Sequence, residues 1–283
     1  MEMSLRDVGG LDKIAKQIRA TCIQMSFDAK HGHLKSALSC VDLLVALYWQ
    51  WLKVSPSTPF DNNRDRFYLS KGHACAALYA VLAARGFIKI DSLSTYARSG
   101  SSLPDHPCRH VLPIIEASSG SLGHCLGIAA GALYGLRLDN NPSRAVVLMS
   151  DGECNEGSVW EAAMFAAAQK LDRLLAIVDY NGLQATGRSD QIMGFTSLEE
   201  KFRSFGWASK SVNGNDISEI LACIKSFPFE KGKPSVVIAK TISGYGVSFM
   251  EDDIVWHYRV PSNEDLENAL GELGVEPLYK VNK

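Results

Sequence analysis

Residues 150–184 read SDGECNEGSVWEAAMFAAAQKLDRLLAIVDYNGLQ, and this stretch decides the fold of the chain. An acidic turn follows an apolar strand, a helix-length segment comes next, and a second apolar strand leads into a polar turn. Asp151 and Asn181 lie thirty residues apart, which leaves room for a helix of about four to five turns and a parallel return strand. Both polar turns are therefore predicted at the same edge of a parallel sheet.

These two turns carry oxygen ligands that suit a metal ion. Asp151 offers a carboxylate, Asn181 an amide oxygen and Leu183 a backbone carbonyl. Mg²⁺ prefers six hard oxygen ligands and commonly takes several of them from water or from phosphates. Gly152 allows the backbone to approach a phosphate closely at the start of the turn. The pattern predicts a magnesium diphosphate site, while DG and NG are also ordinary turn dipeptides.

Length, composition and charge limit the classes of protein that fit. The 283 residues suffice for one large α/β domain or two ordinary ones, and the hydrophobic content of 46% is ample for a core. A net charge of −2 gives no electrostatic reason to bind nucleic acid or an anionic membrane surface. We therefore expect neither a nucleic-acid partner nor a membrane partner.

The N-terminal segment MEMSLRDVGGLDKIAKQ lacks the apolar core and cleavage site of a signal peptide. No run approaches the ~18 apolar residues of a transmembrane helix. The seven cysteines are an odd number, include no CxxC pair and lie mostly among apolar residues. This pattern favours buried thiols in a reducing cytoplasm over a disulfide framework or a zinc site.

Helical and strand patterns alternate along the chain. Strands are predicted at residues 66–70, 145–149, 174–179, 207–212 and 235–241. Helices are predicted at residues 11–25, 39–51, 74–85, 125–136, 158–170 and 216–227. A last helix begins at Ser262, which forms a capping box with Asp265. The alternation predicts an α/β fold, a doubly wound parallel sheet flanked by helices, as one domain over 1–283 with an N-terminal helix and a C-terminal helical tail.

The motif DG-x₂-N-E-G followed by DYNG resembles the thiamine diphosphate motif, and the sequence around it resembles the diphosphate-binding domain of the transketolase family. Five further segments agree with loops of that family in order and approximate spacing: HGHLKS, LSKGH, DHP, GSLGH and KTISGYGVSFMEDDIVWH. The resemblance implies the thiamine diphosphate-binding fold. It also implies thiamine diphosphate and Mg²⁺ as cofactors, with Ca²⁺ or Mn²⁺ as substitutes for the metal.

The resemblance implies catalytic roles for five residues. It places His33 beside the reactive carbon of the cofactor, His73 at the diphosphate and His106 in the substrate channel. It places His257 near the diphosphate and the end of the substrate, and Glu156 at a subunit contact beneath the cofactors. Taken singly, a histidine after glycine also fits a helix cap, and Glu156 also fits an exposed helix N-terminus.

The resemblance also implies a cofactor-binding set, in which Gly120 and Leu122 contact the aminopyrimidine and thiazolium rings. The predicted set comprises His73, Gly120, Leu122, His124, Gly152, Glu153, Asn181 and His257. The predicted metal ligands are Asp151, Asn181 and Leu183. His31 and His110 match nothing in the family pattern, so we expect them to be surface or structural residues.

Two positions depart from the family pattern without removing a predicted ligand. Ser150 replaces the usual glycine before the acidic ligand, and its hydroxyl can either bond a phosphate oxygen or cap the turn. Cys125 stands where glycine is common, which narrows the space near the thiazolium.

A complete transketolase is more than twice as long, with a pyrimidine-binding domain and a C-terminal domain that nothing in this chain resembles. We therefore expect the N-terminal subunit of a split transketolase, active only with a second subunit that carries both domains, as an α₂β₂ heterotetramer. The resemblance implies transfer of a two-carbon ketol unit from a ketose donor to an aldose acceptor in carbohydrate metabolism. Whether these sugars are phosphorylated stays open.

Other classes of protein share some of these features. A deoxyxylulose phosphate synthase or an oxo-acid dehydrogenase α subunit has the metal motif but matches HGHLKS, LSKGH and the WH ending less well. A non-catalytic, cofactor-binding regulatory scaffold would carry the same residues. A nicotinamide-binding Rossmann domain requires G-x-G-x-x-G after its first strand, and GSLGHC lacks the third glycine.

Overall fold

The computed structural model describes residues 7–194 and 196–280, so the two ends of the predicted domain 1–283 lie outside the described residues. Within them, five strands form one sheet in the order β1-β2-β3-β5-β4, and every neighbouring pair is parallel. The strands are β1 (Arg66–Leu69), β2 (Ala145–Ser150), β3 (Leu174–Tyr180), β4 (Ala208–Asn213) and β5 (Ser235–Lys240). The predicted α/β fold with a parallel sheet is confirmed.

Ten α-helices connect and cover these strands within the described residues. They are α1 (Val8–Ala29), α2 (Leu34–Ser39), α3 (Val41–Ala46), α4 (Cys75–Ala84), α5 (Cys125–Leu138), α6 (Gly157–Ala168), α7 (Ser189–Met193), α8 (Leu198–Ser204), α9 (Ile217–Ile224) and α10 (Asn263–Leu273). A π-helical turn over Leu47–Trp51 extends α3. Short 3₁₀ helices occur at Gly72–Ala74, Ile90–Thr95, Gly152–Asn155 and Ile254–His257.

The core lies on both faces of the sheet. Successive side chains of a strand point to opposite faces, so Val146 and Leu148 of β2 pack with α1, α3, α4 and α9. Val147 and Met149 of the same strand pack with α5, α6 and α8 on the other face. Burial on both faces explains the continuous apolar runs of the central strands and makes the sheet doubly wound.

The boundaries of most predicted elements differ from the observed ones by one to four residues. The helix predicted at residues 39–51 is interrupted at Cys40, whose backbone is not helical, so α2 and α3 are separate helices. The short helices α7 and α8 were not predicted, because five and seven residues show too little periodicity. The capping box of Ser262 and Asp265 is confirmed.

The sheet register fixes the position of the polar turns. Ser150 of β2 is paired with Asp179 of β3, so the turns that follow both strands leave the sheet at the same edge, as predicted. Six of the seven cysteines, all free thiols, are buried, and Cys108 is half-buried. Among the described helices, none has the length and apolarity needed to cross a membrane.

Candidate active site

Asp151 and Asn181 stand where β2 and β3 end, and both side chains are buried. The Asp151 Oδ2 atom accepts a hydrogen bond from Ser189 Oγ at 2.6 Å, while Oδ1 has no hydrogen-bond partner within the described residues. Burial raises the pKa of Asp151, and the nearby Asp179 carboxylate adds to this shift against the hydrogen bond from Ser189. A buried carboxylate with one free oxygen favours a cation as its partner.

The other predicted metal ligands belong to one loop. The Asn181 Oδ1 atom accepts a hydrogen bond from the backbone N–H of Leu183 at 3.0 Å. In residues 7–194 and 196–280, no group of three or more His, Cys, Asp or Glu side chains is placed to hold a metal. A cation here would rely on one carboxylate, one amide and one carbonyl, which is the hard oxygen set of Mg²⁺ and leaves positions for phosphates. The residues present therefore fit magnesium diphosphate.

Gln184 lies over Gly152, which the sequence alone did not indicate. A Cβ atom at Gly152 would lie 2.9 Å from Gln184 Cγ, so only glycine fits here without movement of that side chain. In the described part of the chain, the buried Nε2 of Gln184 has no hydrogen-bond partner. An acceptor placed beside Gly152 would satisfy this amide.

A buried ion pair lies beneath these groups. The Lys71 ammonium pairs with the Asp179 carboxylate, and neither side chain is exposed. Lys71 Nζ also donates to Ser36 O at 2.9 Å, and Asp179 accepts from Ser39 Oγ at 2.6 Å and from Thr241 Oγ1. Burial alone would lower the pKa of Lys71, but the Asp179 carboxylate, together with Cys40 and Asp151, raises it by more, so the pKa is raised. These bonds tie together α2 and the ends of β1, β3 and β5.

The structure gives Glu153 a role inside the protein. One carboxylate oxygen of this fully buried residue accepts hydrogen bonds from Ser70 Oγ and from the backbone N–H of Gly123 at 2.7 Å, and the other accepts from the Ser150 N–H at 3.3 Å. Because both oxygens are engaged, the Glu153 side chain holds three loops together, and its binding to the cofactor stays a prediction. Ser150 Oγ accepts from the Glu153 N–H at 3.2 Å and so caps the turn.

Five histidines form a cluster around His33. Its ring centroid lies 5.0 Å from that of His257, 5.8 Å from that of His73 and 6.0 Å from that of His106. The four histidines with predicted catalytic roles therefore lie together. His31 is added by the structure, because its ring stacks on His33 at 5.4 Å. This stacking is compatible with the expectation that His31 is a surface or structural residue, and it places the His31 ring beside the predicted site residues.

The loops that carry these histidines contact one another through their backbones. The His33 N–H donates to the carbonyl oxygen of His257 at 2.7 Å, which joins two segments far apart in the chain. Gly120 has a positive φ of 142°, and a Cβ atom there would lie 3.0 Å from His106 Cδ2. Position 120, which we predict to contact the cofactor, therefore requires glycine because of both its positive φ and the close approach of the His106 ring.

Three of the clustered imidazoles, those of His33, His73 and His257, are neutral near physiological pH. Burial, together with the neighbouring His257, lowers the pKa of His33 to about 4. Burial, with Lys35 and Lys71 nearby, lowers the pKa of His257 to about 4, and burial lowers the pKa of His73 well below its ordinary value. Nδ1 of His33 and of His257 is buried without a hydrogen-bond partner among the described residues. Neutral rings with free nitrogens can exchange protons or hydrogen bonds with a hydroxyl-rich ligand.

Three further predicted site residues lie in the segments that lead into α5 and α6. Leu122 is half-buried, and its carbonyl oxygen lies 3.0 Å from Nδ1 of His124, which is exposed at the start of α5. Glu156 is exposed at the start of α6. His110 is exposed, which agrees with its predicted surface position.

The carboxyl edge of this parallel sheet combines the Asp151 carboxylate, which has one unpartnered oxygen within the described residues, with further oxygen ligands and with neutral histidines. These features are typical of an α/β domain that binds a diphosphate cofactor. The chain belongs to the transketolase family, because residues 11–282 match the family described as the transketolase thiamine diphosphate binding domain. The recognition of this family from the sequence motifs is confirmed.

Sequence and structural similarity to known proteins extends over most of this chain. It is 38% identical over 274 residues to one of the subunits of the apulose-4-phosphate transketolase of Phocaeicola vulgatus, covering 96% of this chain and 97% of that one. It is 38% identical to the 6-deoxy-6-sulfo-D-fructose transketolase subunit SqwG of a Clostridium species, covering 87% and 89%. Among solved structures, transketolase from Leishmania mexicana matches with a TM-score of 0.89 and 26% identity, over 95% of this chain and 42% of that one. The expected class, a transketolase-type transferase, is confirmed.

Proposed function

We propose that this chain is the N-terminal subunit of a two-chain transketolase-type enzyme that transfers a two-carbon ketol unit from a ketose to an aldose. The observation that carries the proposal is that the segment of His33 meets the loops of Asp151 and Asn181, because Lys35 Nζ donates to Gln184 O at 3.1 Å and the Gln184 side chain lies over Gly152. Thiamine diphosphate, when bound, supplies the carbanion chemistry of this transfer.

The chain's own residues would bind and orient the cofactor's diphosphate. Asp151, the Asn181 amide and the Leu183 carbonyl hold Mg²⁺, for which Ca²⁺ or Mn²⁺ can substitute. Gly152 allows the backbone to approach the phosphates, and His73 supports them from the side of the cluster. Gly120, Leu122 and His124 belong to the loop that we assign to the cofactor's rings.

Three histidines would bind the sugar substrate and transfer protons to and from it. The His33 ring lies 5.0 Å from that of His257 and 6.0 Å from that of His106, so these three imidazoles would be able to hydrogen-bond the carbonyl and hydroxyls of one ketose and move protons between them. We assign Glu156 to the subunit contact beneath the cofactors, which its exposed position at the start of α6 supports.

A second subunit would complete the enzyme. The chain spans 42% of the Leishmania transketolase chain but nearly all of the Phocaeicola subunit, which supports a partner that carries the pyrimidine-binding and C-terminal domains. Helices α5 and α6 expose Ile128, Met164 and Phe165, with 43%, 51% and 41% of each residue accessible. An apolar surface of this kind supports burial against another polypeptide, and we propose an α₂β₂ heterotetramer. The free thiols suit a cytoplasmic location.

The names of two similar subunits support a class of substrate for this enzyme. The two similar subunits are named for a phosphorylated ketose and a sulfonated one. We propose a sugar or sugar phosphate as the donor of this enzyme.

Reconstitution tests the proposed function. The chain would be mixed with increasing amounts of the subunit encoded beside it, with thiamine diphosphate and Mg²⁺ present, and assayed for two-carbon transfer from a panel of ketoses and ketose phosphates. We expect almost no turnover by the chain alone and a rise that saturates at equal amounts of the two subunits. Robust turnover by the chain alone, or none at any ratio, would contradict the proposal.

A further inference from the structure

Two lysines are buried at the carboxyl edge of the sheet, and their surroundings differ. Lys71 is 0% exposed and pairs with Asp179, whereas Lys35 is 1% exposed and has a single hydrogen bond within the described residues, to the carbonyl oxygen of Gln184 at 3.1 Å. No carboxylate of the described chain forms an ion pair with Lys35. A buried ammonium without an anionic partner is costly, so its presence indicates an anion that the chain itself does not supply.

The position of Lys35 indicates where this anion would bind. Lys35 follows His33 by two residues, and its carbonyl oxygen accepts from the Gly244 N–H at 3.0 Å, which fixes its backbone. The ammonium reaches the carbonyl oxygen of Gln184, the residue next to the predicted metal ligand Leu183. Lys35 therefore joins the segment of His33 to the loop of the predicted metal ligands.

The residue that accepts the Lys35 hydrogen bond provides a second donor. Gln184 lies against Gly152, and its buried Nε2 is unpartnered within residues 7–194 and 196–280. Lys35 Nζ thus donates to the backbone of the same residue whose side chain lies over Gly152 and keeps an unpartnered N–H donor. Donors of this kind recognise phosphate oxygens.

We propose that Lys35 is a further diphosphate-binding residue, whose ammonium donates hydrogen bonds to the phosphate oxygens of the cofactor beside Gly152. The inference rests on the proposed function and deepens it, because the predicted ligand set contains metal-binding oxygens and neutral imidazoles but no cation of the protein. A diphosphate ester carries more negative charge than one divalent metal ion neutralises, and Lys35 supplies the remainder.

The test replaces each buried lysine by methionine, which keeps the apolar stem and removes the charge. Lys35→Met, Lys71→Met and the exposed control Lys13→Met are titrated calorimetrically with inorganic diphosphate and with thiamine diphosphate, both with Mg²⁺. Thermal unfolding is measured without ligand. We expect Lys35→Met to weaken the binding of both diphosphates by about 10- to 100-fold, the size of a charge-assisted hydrogen bond, and Lys13→Met to bind as the wild type.

The unfolding temperatures separate binding from folding. Lys35→Met should unfold at the wild-type temperature or above it, because it removes an unpaired buried charge, whereas Lys71→Met should unfold well below it. Wild-type affinity in Lys35→Met would overturn this inference alone. A loss of stability like that of Lys71→Met would also overturn it, since Lys35 would then hold the fold. Failure of the wild-type chain to bind thiamine diphosphate even with the second subunit present would overturn the proposed function and this inference with it.

Discussion

Lys71 and Lys35 are both buried beside the same sheet edge. Lys71 forms an ion pair with a carboxylate of the chain, whereas Lys35 forms no ion pair within the described residues. We call one group of side chains the paired network, consisting of Lys71, Asp179 and Glu153, whose charged atoms are bonded within the protein. The second group, the unpaired set, contains Lys35, Gln184, His33, His257 and Asp151, and each has donor or acceptor capacity that the described chain leaves unused.

The two groups should have different roles: the paired network stabilises the fold, and the unpaired set binds a ligand. Removal of one partner from a buried ion pair leaves an uncompensated charge and costs about 3–5 kcal/mol, so the paired network should respond through stability. Removal of a side chain of the unpaired set forfeits at most one hydrogen bond within the described residues and leaves no ion-pair partner behind, so the unpaired set should respond chiefly through binding or turnover. Four substitution experiments follow from this difference, in order of decreasing effect.

Asp179→Asn should have the largest effect on stability. The substitution leaves the Lys71 ammonium buried without its counter-ion, and we expect the free energy of unfolding to fall by about 3–5 kcal/mol in urea titrations. Asp91→Asn, at an exposed position, serves as the control and should change it by less than about 0.5 kcal/mol. Equal stability of the two variants would break the distinction between paired and unpaired groups.

Histidine substitutions should act on function. In the reconstituted complex, His33→Asn, His106→Asn and His257→Asn should each lower kcat by about 100-fold or more through loss of proton transfer and hydrogen bonding. His73→Asn should chiefly raise the Kd for thiamine diphosphate, because we place it at the diphosphate. His110→Asn, on the exposed loop, is the control and should behave as the wild type. The same kinetic profile for all four cluster variants would contradict the division of roles.

The pH dependence of stability offers a third test. The pKa values of His33 and His257, at about 4, lie below the ordinary value near 6.5, so the unfolded chain binds more protons between these two pH values. We expect the free energy of unfolding to fall as the pH is lowered through this window. A His33→Asn/His257→Asn double variant should have a shallower slope in urea titrations at several pH values. An unchanged slope would show that these rings are not held neutral by burial.

Ser150→Gly should have the smallest effect. Its hydroxyl accepts from the Glu153 N–H, so the substitution should cost about 0.5–1.5 kcal/mol of stability and leave the Kd for thiamine diphosphate unchanged. Calorimetry beside urea titration measures both quantities. A weakened affinity with unchanged stability would instead assign the hydroxyl to a phosphate oxygen.

The sequence predicted the features that depend on local pattern. Apolar runs and their polar ends located the five strands and placed the turns of Asp151 and Asn181 at one edge, because parallel strands end together. Capping residues such as Ser262 were recognised from a spacing of three residues. The four histidines that family motifs singled out do lie together.

The features that the sequence did not predict depend on contacts between distant segments. The hydrogen bond from Lys35 to Gln184 joins residues 149 positions apart in the sequence, and the hydrophobic pattern of neither segment predicts it. Glu153 stands in an acidic turn typical of ligands, yet packing turns its carboxylate towards Ser70 and Gly123. His31 joined the cluster through the path of its loop. Each difference arises because the tertiary fold decides which polar groups find partners.

Calorimetric titration of Asp151→Ala with thiamine diphosphate and Mg²⁺, beside thermal unfolding, tests the central claim most directly. Asp151 is buried, but its Oδ1 atom has no partner in the described chain. We therefore predict that the variant loses magnesium-dependent binding of the cofactor while it unfolds close to the wild-type temperature. Unchanged affinity for thiamine diphosphate in a folded Asp151→Ala chain would contradict the claim that the unpaired groups of this edge form the cofactor site.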